Sequence, residues 1–186
     1  MLDYLDKTAG YNSLDYSNFF AASLGVELYI PAGKGPFPSI IELGPAREQV
    51  SPQDIERVKR GYIVCRFNRK DADFAAGVYR EYECNQLEWW AYAATRCVDL
   101  ICSRDDADKS KIAVAGHSRG GKTALIAALM DERISAVINS HPGTGAGSFN
   151  IWRYAGDKFG GETLENSTRR FPYWNNPGMR FFIGRE

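Results

Sequence analysis

The 186 residues carry 23 Lys and Arg against 23 Asp and Glu, for zero formal net charge, and 44 % are hydrophobic. That length and composition suit a single globular domain with a sizeable core. No basic block marks a nucleic-acid surface, and no apolar run approaches the ~18 residues of a membrane-spanning helix.

Residues 1–23 are polar and aromatic without a period and read as an N-terminal arm; Met1–Asp6 lack the basic start and apolar stretch of a signal peptide. Gly25–Pro31 alternates apolar and polar residues, the pattern of a strand. Residues 32–38 hold Gly33, Gly35, Pro36 and Pro38 and form a turn. Ser39–Gly44 is a second strand, expected to pair with the first as a hairpin. Ser51 is placed to cap a helix that Pro52 begins, with Ile55 and Val58 facing inward and Gly61 as a left-handed end. Tyr62–Phe67 is mostly apolar, as in a parallel strand covered on both faces.

Residues 68–85 read as a polar loop. A long helix is predicted from Leu87 to Arg104, because Leu87, Trp90, Ala91, Ala94, Val98 and Ile101 recur at helical spacing. After a turn at Asp105–Asp108 comes the apolar strand Lys111–Ala115, then Gly116-His117-Ser118-Arg119-Gly120, then a helix from Lys122 to about Met130, then a strand at Ile134–Asn139. Strands separated by helices predict an α/β fold with a mostly parallel sheet, whose sites lie at the carboxyl ends of the strands. His141–Gly147 is glycine-rich but lacks the spacing of a dinucleotide or phosphate loop, so no cofactor is expected. Residues 141–186 are aromatic and irregular and are expected to form a cap over the preceding turn.

Strand, Gly-x-Ser-x-Gly and helix in that order define a nucleophile elbow. A tight turn between strand and helix would hold the Ser118 hydroxyl at the sheet edge, against a helix N-terminus that favours a developing oxyanion. A β-α turn with an incidental serine is the alternative. Cys65, Cys84, Cys97 and Cys102 form no Cys-x-x-Cys or Cys/His cluster, so no metal is expected. Cys65 is predicted to be a buried thiol. A disulfide stays open, and with it the redox compartment.

Gly116-His117-Ser118-Arg119-Gly120-Gly121-Lys122 resembles the Gly-x-Ser-Arg-x-Gly-Lys signature of glucuronoyl esterases, carbohydrate esterases of the α/β-hydrolase fold. Asp131–Ile138, Gly161–Leu164, Phe171–Trp174, the Arg60–Tyr62 turn and the Trp89-Trp90 helix support the likeness, which covers residues 25–183. The resemblance implies an α/β-hydrolase three-layer sandwich and a serine carboxylic ester hydrolase. Its substrate would be a carbohydrate ester, a 4-O-methyl-glucuronoyl ester joining xylan to lignin, with no nucleic-acid or membrane partner and a secreted or periplasmic setting. Ser118 would form the acyl-enzyme, and Arg119 would stabilise the oxyanion. Lys122 and Glu162 would contact the sugar. For these three the bland alternatives are a salt bridge at the helix start, a solvated lysine and a surface glutamate.

Two features depart from the family pattern. His141 stands about where the family often has its catalytic acid, and a histidine cannot be the carboxylate that orients a base. The chain's two histidines, His117 and His141, are also early for the general base. His117 is expected to point into the sheet, and His141 is the possible base within the chain. The expectation is that the base and the last strands lie beyond Glu186, and that these 186 residues hydrolyse little alone. Readings that stay open are an esterase of acetylated xylan or another small ester, and a non-catalytic hydrolase-fold fragment that binds carbohydrate.

Overall fold

A computed structural model describes residues 5–6, 11–12, 23–44, 50–78, 84–143 and 162–183. In chain order the strands are β1 (Leu5–Asp6), β2 (Tyr11–Asn12), β3 (Ser23–Leu24), β4 (Val26–Tyr29), β5 (Phe37–Glu42), β6 (Ile63–Phe67), β7 (Ala107–His117) and β8 (Ala136–Ser140). The helices are α1 (Pro52–Lys59), α2 (Arg69–Val78), α3 (Gln86–Cys102), α4 (Arg119–Met130) and α5 (Leu164–Arg170), followed by a 3-10 turn at Pro177–Phe182.

Six strands form one sheet in the order β1-β4-β6-β5-β7-β8. β5 runs parallel to β6 and β7, and β7 parallel to β8, while β4 lies antiparallel to β6. The expected hairpin of β4 with β5 does not form, because β6 inserts between them. Adjacency in sequence suggested the pairing; the long returns through α1 and through α2–α3 place strands on either side of β5 instead. The chain therefore reverses its winding direction at β5 and β7, which is where an open α/β sheet carries its crevice.

Strand periodicity divides the core into two faces. Ile63, Cys65 and Phe67 join Ile41, Ile112 and Val114 under Leu87, Trp90, Ala94 and Val98 of α3 and Ala124 of α4. Val64, on the other face, packs with Tyr29 and with Val58 of α1. All six residues predicted for the inner stripe of α3 are buried. Cys97 of α3 lies against Cys65 of β6, and the hydrogen bond between the two thiols, together with burial, raises its pKa.

The predicted caps of α1 hold. Ser51 accepts from the Asp54 N–H at 3.1 Å, Pro52 opens the helix, and Gly61 takes φ +87°. The inward face of α1 differs from expectation: Asp54 is buried with Val58, while Ile55 is only half-buried. Residues 69–78 form helix α2 rather than loop. Asn68 starts it, its Oδ1 accepting from the Lys70 N–H at 3.1 Å, a capping role that the run of polar residues concealed. The chain after residue 161 is likewise less irregular than predicted. Thr163 caps α5 by accepting from the Asn166 N–H. Residues 144–161, with Phe149, Trp152, Tyr154 and Phe159, lie outside the described residues.

Candidate active site

Ser118 sits between the last residue of β7 and the first of α4, with φ 55° and ψ −119°. This region is sparsely populated for a residue with a Cβ, and it persists only where surroundings enforce it. Here the enforcing groups are backbone. The Ser118 N–H donates to the Ser140 carbonyl at 2.9 Å, and the Ser118 carbonyl accepts from the Lys122 N–H at 3.2 Å. A Cβ on Gly116 would overlap the Gly120 carbonyl, and one on Gly120 would overlap the carbonyl of Leu43 at the end of β5. Both glycines of Gly-x-Ser-x-Gly are thus required by close approach, one within the turn and one where α4 meets β5. The turn stands at the switch of winding direction, and Ser118 is exposed there.

The Arg119 guanidinium lies 5.2 Å above the Trp174 ring. Trp174 is buried and stacks on Phe171 at 3.7 Å between centroids. No carboxylate pairs with Arg119 among the described residues, so the salt-bridge alternative finds no partner there. Lys122 is 5 % exposed rather than solvated. Its Nζ donates to the Pro142 carbonyl and pairs with Glu162 Oε2 at 2.5 Å. Gly143, at φ +69°, lies so close that a Cβ there would collide with the Glu162 carboxylate. The elbow helix, the turn after β8 and the segment before α5 therefore converge on one ion pair.

His117 does not point into the sheet. It is exposed, with Nδ1 3.2 Å from Ser140 Oγ, and its ring lies 5.4 Å from that of His141. β7 ends at this residue, and β8 beside it is open to solvent. His141 follows β8 in the left-handed region at φ 44°, its Nδ1 3.1 Å from the same hydroxyl.

Sequence reasoning missed two clusters at this edge. Below His117, Arg57 bridges Glu42 Oε2 at 2.6 Å and Asp54 Oδ1 at 3.0 Å, and Asp54 Oδ2 pairs with the buried Arg66 at 2.5 Å. These groups line a cavity of about 300 Å³ that Gly116, His117 and Ser140 also border. The second cluster follows β6: Arg69 lies 4.5 Å above the Trp90 ring, and Trp90 Nε1 donates to Asp73 at 2.7 Å. The i, i+4 spacing of Arg69 and Asp73 after a strand end was the available signal, obscured by the reading of 68–85 as loop.

Residues 17–183 match the family described as glucuronyl esterase, fungi. The chain belongs to the glucuronoyl esterase family. It is 27 % identical over 171 residues to the 4-O-methyl-glucuronoyl methylesterase of Podospora anserina, covering 82 % of this chain and 34 % of that protein. It superposes with a TM-score of 0.72 on a carbohydrate esterase family 15 glucuronoyl esterase from Caldicellulosiruptor kristjansonii, at 26 % identity, over 86 % of this chain and 50 % of that one. A mutant glucuronoyl esterase of Sporotrichum thermophile, solved in complex with methyl 4-O-methyl-β-D-glucopyranuronate, shares the fold at 20 % identity and TM-score 0.66, over 90 % and 48 % of the two chains. The fold of the family is the α/β hydrolase that the motif implied, and the chain spans between a third and about half of these relatives.

Proposed function

We propose that this chain carries the nucleophile half of a serine carboxylic ester hydrolase acting on uronoyl esters of carbohydrate. The observation that carries the reading is Ser118, held at φ 55° by backbone contacts at the switch point of the sheet. Its hydroxyl oxygen would attack the ester carbonyl, expelling the alcohol and leaving a glucuronoyl group on Oγ. Water then adds across that bond, the hydroxyl going to the acyl carbon and the proton returning to Oγ. The Arg119 N–H opens α4, where no intrahelical acceptor exists, and with the guanidinium it faces the charge that develops on the carbonyl oxygen. Glu162, fixed by Lys122, offers an acceptor to sugar hydroxyls. The sugar carried by the relatives' named substrates favours this over a small acetyl ester.

His141 stands on the correct edge, and with Nδ1 on Ser140 its Nε2 is the nitrogen that could serve as base. Hydrolysis of benzyl glucuronate by the 186-residue chain, and by a longer polypeptide containing it, tests both assignments. Loss of turnover in Ser118→Ala supports the nucleophile, and retained turnover overturns it. Turnover by the short chain that His141→Ala abolishes assigns the base to His141. Turnover only by the longer polypeptide places the base outside this segment.

A further inference from the structure

Arg69 and Arg119 open the two helices that leave the carboxyl ends of β6 and β7, strands separated in the sheet by β5 alone. Each guanidinium lies on an indole face, Arg69 on Trp90 and Arg119 on Trp174, and both indoles belong to the same core cluster. The rings hold the two side chains by their faces, and among the described residues the N–H donors at the guanidinium edges stay unspent. Among the described residues neither arginine forms an ion pair with a carboxylate. Asp73, one turn on from Arg69, already accepts from Trp90 Nε1 at 2.7 Å and Gln86 Nε2 at 3.0 Å. Burial, and after it the Arg119 charge, lower the Arg69 pKa, and the Asp73 carboxylate opposes them in part. Two like charges at two positive helix ends oppose one another, and an anion between them would relieve that repulsion.

We propose that Arg69 is a second cation of the ester site, and that with Arg119 it holds the carboxylate that ester hydrolysis releases. The inference rests on the ester reading of Ser118. A uronoyl ester is neutral at its carbonyl, whereas the released uronate is an anion with two equivalent oxygens, the geometry that paired guanidinium forks match. The pair therefore favours product over substrate, and release of the acid limits turnover when it accumulates.

Binding in a Ser118→Ala background tests this without turnover. Indole fluorescence is followed while glucuronate, or its neutral methyl ester, is added at pH 7. Glucuronate is expected to bind about tenfold more tightly than the ester. Arg69→Gln is expected to weaken glucuronate about tenfold and the ester less than twofold, and Arg69→Lys to restore part of the difference. Equal loss for both ligands would show that Arg69 only supports the fold. Unchanged glucuronate affinity in Arg69→Gln, or no preference for the anion, or binding of neither ligand, would overturn the proposal. The ester reading fails separately, if Ser118→Ala still hydrolyses benzyl glucuronate.

Discussion

Ser118 and His141 are the non-glycine residues with positive φ among the described residues, and both flank Ser140, one through its carbonyl and one through its hydroxyl. The glycines around them divide by cause. Gly61 takes φ +87° with open space about it, so Gly61→Ala costs only the strain of a Cβ in the left-handed region, about 1 kcal/mol. Gly120 meets a backbone carbonyl that cannot turn aside. Gly120→Ala should cost about 3 kcal/mol or more and move α4 from β5; urea midpoints of the two variants compare them directly. Lys122→Met leaves the Glu162 carboxylate half-buried without its partner, and an equilibrium melt should show a loss of about 3 kcal/mol. A loss under 0.5 kcal/mol would show that the pair does not brace the site.

Elements were legible in the sequence where their signals are local. The caps of α1, the stripe of α3 and the strand–turn–helix of the elbow each depend on residues within a turn or two of one another. The neighbour of β4 depends on strands nearly forty residues away, and nothing in Val26–Tyr29 distinguishes β5 from β6 as a partner. Asp54 was missed because its burial depends on Arg66, which β-sheet periodicity turns toward the α1 face beside Val64. One tertiary clamp gives a pH prediction. Arg133 pairs with Asp99 of α3 at 2.7 Å and with Asp131, after α4, at 2.6 Å, and it lowers the Asp131 pKa below 3.8. A carboxylate with a lowered folded-state pKa contributes stability that is present above 3.8 and lost as pH falls through the folded value. Arg133→Met should cost about 2 kcal/mol at pH 7 and lose less on acidification below pH 4 than the parent. Melts at pH 7 and pH 3 read the difference, and parallel acid limbs would contradict it.

Across the whole molecule, the winding of the sheet decides where chemistry can occur. Reversal at β5 and β7 brings Leu43, Ser118 and Ser140 together from three strand ends, and α4 seats on that junction because Gly120 allows it. The sequence motif pointed to Ser118 as the candidate nucleophile and to the family; Lys122 and Glu162 were named singly, and their mutual pairing emerged only from the fold. Arg69 carried a spacing signal with Asp73 that the reading of 68–85 as loop obscured. Among the described residues β8 is the last strand on this side of the sheet, with Ile138 half in solvent. On the proposed reading, Ser118 Oγ carries the uronoyl group between the two half-reactions. Acid quenching of a polypeptide that turns over benzyl glucuronate, followed by tryptic mass spectrometry, should find a glucuronoyl adduct on the Ile112–Arg119 peptide that Ser118→Ala eliminates along with turnover. Continued hydrolysis by Ser118→Ala, with no adduct on that peptide in the parent, would contradict it.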